Sequence, residues 1–167
     1  MVVHMLYLGR RAVIKDCMKR DIVSLPATAS IREAAALVAD RHIGLVPIVG
    51  AGGLLVGVVG LPELLSLELP SFLDLISNVD FVNDFGAVES EFLTPEQLAL
   101  PVTSLMRPAT VVKEESGLLR AYALMIKHNL SDLPVVSASG QLVGLVSRVD
   151  IGAAILSNWK EIKETGA

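Results

Sequence analysis

The sequence has little cysteine and little basic charge, and both shortages narrow the function classes open to it. Cys17 is the single cysteine among 167 residues, so no disulfide can form within the chain. Lysine and arginine number 14 against 18 aspartates and glutamates, giving a net charge of −4 and no basic surface for nucleic acid or an anionic membrane. We therefore expect small molecules or proteins as partners.

Patterns that carry catalysis or bind metals are also missing. The three histidines are scattered, with no i, i+4 pair and no Cys/His cluster, so we expect no metal site. Cys17 and the serines lack a paired base, and the glycine-rich turn at residues 50–53 lacks the lysine of a phosphate-binding P-loop. We expect a buried structural thiol at Cys17 and a protein that is not an enzyme.

Signals for export or membrane insertion are absent or interrupted. Residues 1–11 lack the basic start, apolar run and cleavage site of a signal peptide. Residues 43–62 carry no charge and are long enough to cross a bilayer, but one proline and several glycines interrupt them. Two buried strands around a turn, Leu45–Val49 and Leu54–Val59, fit this stretch better. We predict a cytoplasmic protein without membrane contact.

An internal repeat organises what is present. Pro47 and Pro134, Gly53 and Gly140, and Gly57 and Gly144 are each 87 residues apart, and Leu-Val-Gly-Val-Val at 55–59 matches Leu-Val-Gly-Leu-Val at 142–146. Met18 and Met106 also correspond, at a spacing of 88. Self-similarity of this kind decides the fold class before any short motif does.

Within each copy the hydrophobic period changes in the same order. A short strand, a helix with an alanine-rich face, two strands around a glycine turn and a second helix give β-α-β-β-α. The first strands are predicted at Ile22–Leu25 and Thr110–Val112, and the first helices at Ile31–Arg41 and Leu118–Asn129. The second helices follow Pro62-Glu63 and Val149-Asp150, where the acidic residue favours a helix N-terminus. The fold class is therefore α/β.

Three regions follow from the repeat. The first copy covers residues 12–69, the second covers residues 102–157, and residues 70–101 between them have no counterpart in either. Apolar residues in this insert predict a packed helical excursion rather than a flexible linker; they are Phe72, Leu73, Leu75, Ile76, Val79 and Phe81.

This repeated order, with a proline before the second strand and Leu-Val-Gly in the third, resembles a cystathionine β-synthase (CBS) domain pair, or Bateman module. The resemblance covers about Lys15 to Leu156. It implies two pseudo-symmetric βαββα units with two clefts, in which many members bind AMP, ADP, ATP or S-adenosylmethionine. The family's nucleotide pattern is Gly, two apolar residues, Ser or Thr, two variable residues, then Asp or Asn, and residues 144–150 fit it completely.

The resemblance also implies which residues bind the ligand. Asp150 would accept from the ribose hydroxyls, while Ser147 and Arg148 would meet phosphate. The opposite wall of the same cleft would come from the first repeat: Ser24, Gly44, Val46 and Pro47. In the counterpart cleft, Gly60 replaces the hydroxyl, Glu63 replaces the aspartate and Asp132 precedes the proline, which makes a poor phosphate site.

Other interpretations remain open at this point. Asp150 also suits a helix N-cap with Ser147 as a turn residue, Arg148 also suits a solvated surface charge, and Ser24 also suits an ordinary strand neighbour. The leading hypothesis is a regulatory module that senses an adenosine compound and acts on a separate effector protein. The alternative is a ligand-free CBS pair with a structural or interaction role. Hydrophobic residues make up 52% of the chain, and this excess together with the family resemblance predicts a homodimer.

Overall fold

The computed structural model describes residues 12–68, 93–157 and 159, which divide into two compact units. The first unit is continuous and spans Val23–Ala109. The second unit is discontinuous and combines Met1–Ile22 with Thr110–Ala167. Each repeat of the sequence therefore forms the body of one unit, and each unit has a hydrophobic core of its own.

The first unit contains a three-stranded sheet in the order β1-β2-β3. Strand β1 runs parallel to β2, and β2 is antiparallel to β3. Ser30 begins α1 with a capping box, in which its hydroxyl accepts from the Glu33 amide and the Glu33 carboxylate accepts from the Ser30 amide. The elements are β1 (Leu25–Pro26), α1 (Ile31–Arg41), β2 (Leu45–Val49), β3 (Leu55–Gly60), α2 (Leu61–Leu65) and α3 (Pro95–Ala99).

The second unit repeats this arrangement. Its sheet has the order β4-β5-β6, with the same parallel and antiparallel pairs and an irregularity in register at the same place as in the first unit. The order β-α-β-β-α predicted from the sequence is therefore confirmed in both copies. The elements are β4 (Val112–Lys113), α4 (Leu118–Lys127), β5 (Asp132–Val136), β6 (Leu142–Ser147) and α5 (Arg148–Ser157).

Each unit is completed by the segment that precedes the first strand of the other unit. In the second unit, Ile14 lies in a one-turn 3-10 helix, is 0% exposed and donates its amide to the Ser116 carbonyl at 2.9 Å. In the first unit, Val102 occupies the equivalent place, is fully buried and donates to the Ala29 carbonyl at 2.7 Å. We call residues 12–22 and 93–109 the completing segments.

The glycine shared by the two Leu-Val-Gly motifs has a packing reason. A Cβ added to Gly144 would lie 2.9 Å from the carbonyl oxygen of Lys19, and one added to Gly57 would lie 2.9 Å from that of Arg107. Both oxygens belong to completing segments, which pair with the strands as isolated bridges, Lys19 with Leu145 and Arg107 with Val58. Glycine is therefore required where the backbone of the completing segment approaches the strand.

Several predicted boundaries change by one to three residues. Strands β1 and β4 begin later than predicted and pair with their neighbours over only two residues each. Helix α4 ends at Lys127 rather than Asn129, because Asn129 has a left-handed φ of 50° that an α-helix does not continue. Strand β3 begins at Leu55 rather than Leu54. The second helices begin before the acidic pairs that were predicted to precede them, α2 at Leu61 and α5 at Arg148, so both pairs lie in the first turn.

The insert predicted at residues 70–101 lies mostly outside the described residues. Its described end holds α3, which begins after Thr94 with a second capping box to Gln97. The predicted apolar residues from Phe72 to Phe81 are not among the described residues. Within the described part of the chain, no helix has the length and hydrophobicity needed to cross a membrane.

Candidate functional site

Ser147 and Asp150 form a closed pair at the start of helix α5. The Ser147 hydroxyl accepts from the Asp150 amide at 3.1 Å, and the Asp150 Oδ2 accepts from the Ser147 amide at 2.9 Å and from its hydroxyl at 2.7 Å. This is the reciprocal geometry of a capping box, with serine as the cap and the acid three residues later. A capping role is therefore present, but with the residues exchanged: Ser147 is the cap, and Asp150, predicted as the alternative cap, lies three residues later.

The other oxygen of the Asp150 carboxylate is less committed. Its partner is Lys19, whose Nζ lies 3.7 Å from Oδ1, and the two side chains are 65% and 18% exposed respectively. A separation of this length in a solvated pair contributes little energy. Among the residues that the structure describes, Asp150 thus combines one oxygen fixed by the helix start with one whose partner is a long ion pair.

Lys19 reaches this position because the completing segment pairs with the strand that leads into α5. Its amide donates to the Leu145 carbonyl at 2.8 Å, and the Leu145 amide donates back at 2.9 Å. The sequence analysis did not identify Lys19. A signal was nevertheless available, since the corresponding methionines Met18 and Met106 are each followed by a basic residue.

Asp132 lies opposite Ser147 in the sheet of the second unit. It is directly registered with Ser147 across the β5–β6 ladder, and directly opposed residues of an antiparallel pair point to the same face. Burial raises the pKa of the half-buried Asp132 carboxyl; Lys19 acts in the opposite direction, and the charge of Asp150 raises the pKa further. The register places Asp132 opposite Ser147 within the second unit, and its place in the counterpart cleft stays a prediction from the resemblance.

Arg148 has partners other than solvent. Its Nε donates to the Leu130 carbonyl at 2.6 Å and its Nη2 donates to the Met125 carbonyl at 3.2 Å. Both carbonyls belong to the C-terminal end of α4 and the turn after it, and the Met125 carbonyl also accepts from the Leu130 amide at 2.8 Å. The guanidinium therefore caps α4 from the first residue of α5, which is a structural role that neither sequence interpretation included.

The equivalent position in the first unit is built differently. Glu63 Oε2 accepts from the Gly60 amide at 2.7 Å, and its Oε1 accepts from Arg107 Nε at 2.8 Å. The Glu63 and Arg107 side chains are 19% and 34% exposed, so this short pair is better shielded than the pair of Asp150 with Lys19. Both oxygens of Glu63 are thus engaged within its own unit.

The other four predicted site residues belong to the first unit. Ser24 is half-buried just before β1, and Gly44 is exposed just before β2, with its carbonyl accepting from the Leu61 amide at 3.1 Å. Val46 is 0% exposed and packs in the core of the unit, and Pro47 is also fully buried. The structure joins Ser147 to Asp150 but directs the Arg148 side chain to the end of α4, and the cleft that would join them to these four residues stays a prediction from the resemblance.

Cys17 is a half-buried thiol with acidic neighbours. Burial raises the pKa of the Cys17 thiol, and the charges of Asp150 and Asp16 raise it further, so the thiolate that would act as a nucleophile is disfavoured. Residues 12–68, 93–157 and 159 contain no group of three or more His, Cys, Asp or Glu side chains that could hold a metal ion.

Comparisons with known proteins give a family match and a relative of similar length. The family model for the CBS domain matches residues 14–69 and 102–157. The uncharacterized protein MJ1426 of Methanocaldococcus jannaschii is 31% identical over 161 residues, which cover 89% of this chain and 94% of that protein.

Two solved structures share the fold. The crystal structure of CBSX2 in complex with AMP has a TM-score of 0.67 at 23% identity, covering 88% of this chain and 98% of its own. That of the CBS domain pair of protein MJ0100 in complex with 5′-methylthioadenosine and S-adenosyl-L-methionine has a TM-score of 0.64 at 20% identity, covering 89% and 99%.

Proposed function

The chain belongs to the CBS domain family, and from this membership we propose that it is a regulatory module that binds an adenosine compound at Asp150. The family assignment and the α/β fold inferred from the repeat are confirmed. CBSX2 binds AMP, and the MJ0100 pair binds 5′-methylthioadenosine and S-adenosylmethionine, so adenosine is the moiety that these related ligands share.

The observation that carries the proposal is the state of the Asp150 carboxylate. The capping box fixes its orientation, while Oδ1 retains only a long ion pair to Lys19 and 18% of the side chain is exposed. A fixed carboxylate with an available oxygen is suited to accept hydrogen bonds from two ribose hydroxyls. In the proposed complex Ser24, Gly44 and Pro47 line the opposite wall, and Val46, whose side chain is in the core, contributes through its backbone.

The binding step would act on a target through a difference in ligand affinity between two states of the protein. We propose that this target is a separate effector protein and that the module itself has no catalytic activity. A cytoplasmic location remains the prediction made from the sequence.

The test is thermal unfolding in the presence of adenosine, AMP, ADP, ATP and S-adenosylmethionine. A ligand that binds only the folded state stabilises it by RT ln(1 + [L]/Kd), about 2.7 kcal/mol when the ligand is at a hundred times its Kd. We expect at least one compound to raise the melting temperature by several degrees, with guanosine, which shares the ribose, as the matched control. No shift with any adenosine compound at millimolar concentration would contradict the proposal.

A second candidate is a ligand-free pair with an interaction role. The Glu63–Arg107 pair favours it, because an internal ion pair already occupies the position that corresponds to Asp150 in the first unit. The same unfolding experiment separates the two candidates, since an interaction module would give no shift with nucleotides.

We also propose that the protein is a homodimer. Large apolar side chains are exposed on α4 and α5, among them Leu119, Ile126 and Val149, and such side chains favour burial against a partner. We expect light scattering at tens of micromolar to give the mass of two chains, because a stable contact buries on the order of 1,500 Å². A monomer mass under these conditions would count against the dimer.

A further inference from the structure

The ion pairs of the described residues are concentrated on the completing segment of residues 12–22. Of the four ion pairs among the described residues, three join this segment to the rest of the second unit. They are Lys15 with Glu115 at 2.7 Å, Lys19 with Asp150 at 3.7 Å and Arg20 with Glu114 at 3.0 Å. The three basic side chains are at least 40% exposed, so each pair is solvated and contributes little by itself.

The apolar anchoring of this segment is lighter than that of the other completing segment. Ile14 and Val102 are equivalent, and both are fully buried. Three residues further on, the side chains that pack against the two cores are Cys17 and the larger Leu105. The other segment adds Leu98 on α3, which packs against the core of the first unit. With less apolar surface to bury, the docking of residues 12–22 depends more on charge.

The backbone contacts of this segment are few and local. Ile14 donates to the Ser116 carbonyl, and Lys19 exchanges two hydrogen bonds with Leu145 at an isolated bridge rather than in a strand ladder. Residues 20–24 lie in no helix or strand, and the boundary between the two units falls after residue 22. Release of the segment at this point leaves the ladders of β4, β5 and β6 intact.

We propose that residues 12–22 open from the second unit as a local unit, without unfolding of its sheet, and that the three ion pairs hold them closed. This inference goes beyond the proposed function and does not depend on a bound ligand. Opening carries Lys19 away from Asp150 and uncovers the core position that Ile14 fills. It therefore changes both the charge and the apolar surface that the second unit presents.

Cys17 allows this opening to be measured in the whole chain. It is the single cysteine, and its half-buried thiol donates to the Ile14 carbonyl at 3.6 Å, so alkylation by the neutral reagent N-ethylmaleimide reports release of the segment. A synthetic peptide of residues 12–22 gives the unprotected rate, and chemical denaturation gives the equilibrium constant of global unfolding. We expect labelling at least about tenfold slower than in the peptide and at least about tenfold faster than global unfolding allows.

Removing two of the ion pairs should raise the labelling rate. In the double variant Lys15→Gln, Arg20→Gln we expect a rate about three- to tenfold higher, because the closed state alone loses the pairs. Raising salt from about 0.05 M to about 0.5 M should act on the wild-type chain in the same direction, since exposed pairs are screened. Lys127→Gln makes the same charge change at an exposed position of α4 and should change the rate less than about twofold. Each rate is divided by that of the matching peptide under the same conditions.

The other completing segment supplies a matched probe. Leu105 corresponds to Cys17 at a spacing of 88, so Cys17→Ser with Leu105→Cys moves the thiol there. We expect this thiol to label no faster than the variant's own global unfolding allows, because Arg107 and Glu63 form a better shielded pair. The shorter side chain weakens packing, so slow labelling here is the more stringent result.

The outcomes decide the proposal. Labelling of Cys17 at the rate of the peptide would show that the closed segment does not protect it, and labelling at the rate set by global unfolding would show that no local opening exists. A rate unchanged by Lys15→Gln with Arg20→Gln would show that the ion pairs do not hold the segment closed. Equally fast labelling at Leu105→Cys would contradict the difference between the two segments.

Discussion

Replacing Asp150 with alanine is expected to weaken binding of an adenosine ligand about ten- to hundredfold. A carboxylate that accepts from ribose hydroxyls contributes about 1.5–3 kcal/mol, and its removal also leaves those hydroxyls without an acceptor in the complex. Glu63→Ala is the matched variant, because Glu63 occupies the equivalent helix position but has both oxygens engaged by Gly60 and Arg107. Its effect on affinity should be less than twofold. The measurement is isothermal titration with the tightest-binding compound of the unfolding experiment.

Stability must be measured beside affinity, because Asp150 also closes the capping box of α5. Loss of that interaction alone costs about 1 kcal/mol of folding stability without touching the ligand. Unfolding of the unliganded variants separates the two effects. Binding that survives Asp150→Ala undiminished, or two equivalent sites per chain, would show that the site has been assigned to the wrong residues.

Truncating Ile14 to alanine is expected to destabilise the protein by about 2–5 kcal/mol, because a cavity is left in the core of the second unit. Ile14 is 0% exposed and belongs to the same core cluster as Met125 and Leu133, although it lies at the start of the first repeat in sequence. Ile126→Ala makes the same chemical change at a side chain that is 55% exposed. Chemical denaturation of both variants, at two protein concentrations so that association is accounted for, gives the comparison.

The expected difference follows from the completing segments rather than from residue type. If Ile14→Ala costs no more than Ile126→Ala, residues 12–22 are not part of the second unit's core, and the two-segment construction of that unit is wrong. Ile126→Ala by itself should change stability by less than about 0.5 kcal/mol, as expected for a surface position.

The sequence predicts those features that depend on local pattern. Helix α1 runs from Ile31 to Arg41 as predicted, because a serine cap begins it and a left-handed residue, His42, ends it. The association of Ser147 with Asp150 could also be predicted, since a serine followed three residues later by an acid closes on itself. The repeat extended these local predictions to the second copy.

Features that depend on distant partners could not be predicted in this way. Lys19 reaches Asp150 because its backbone bridges to Leu145. Arg107 reaches Glu63 because its backbone bridges to Val58. The Arg148 contacts require the end of α4 to be known, and that end depends on the conformation of Asn129. The position of Asp132 beside Ser147 required the register of β5 against β6.

The discontinuous second unit has a consequence for how the chain folds during synthesis. The first unit is continuous, so it can form as soon as residue 109 has left the ribosome. Lys15 and Glu115, which form an ion pair, are 100 residues apart, a separation that takes about 5–20 s to translate at about 5–20 residues per second. During that interval the apolar side chains of residues 12–22 have no sheet to cover, and a slowed ribosome between the repeats would lengthen their exposure.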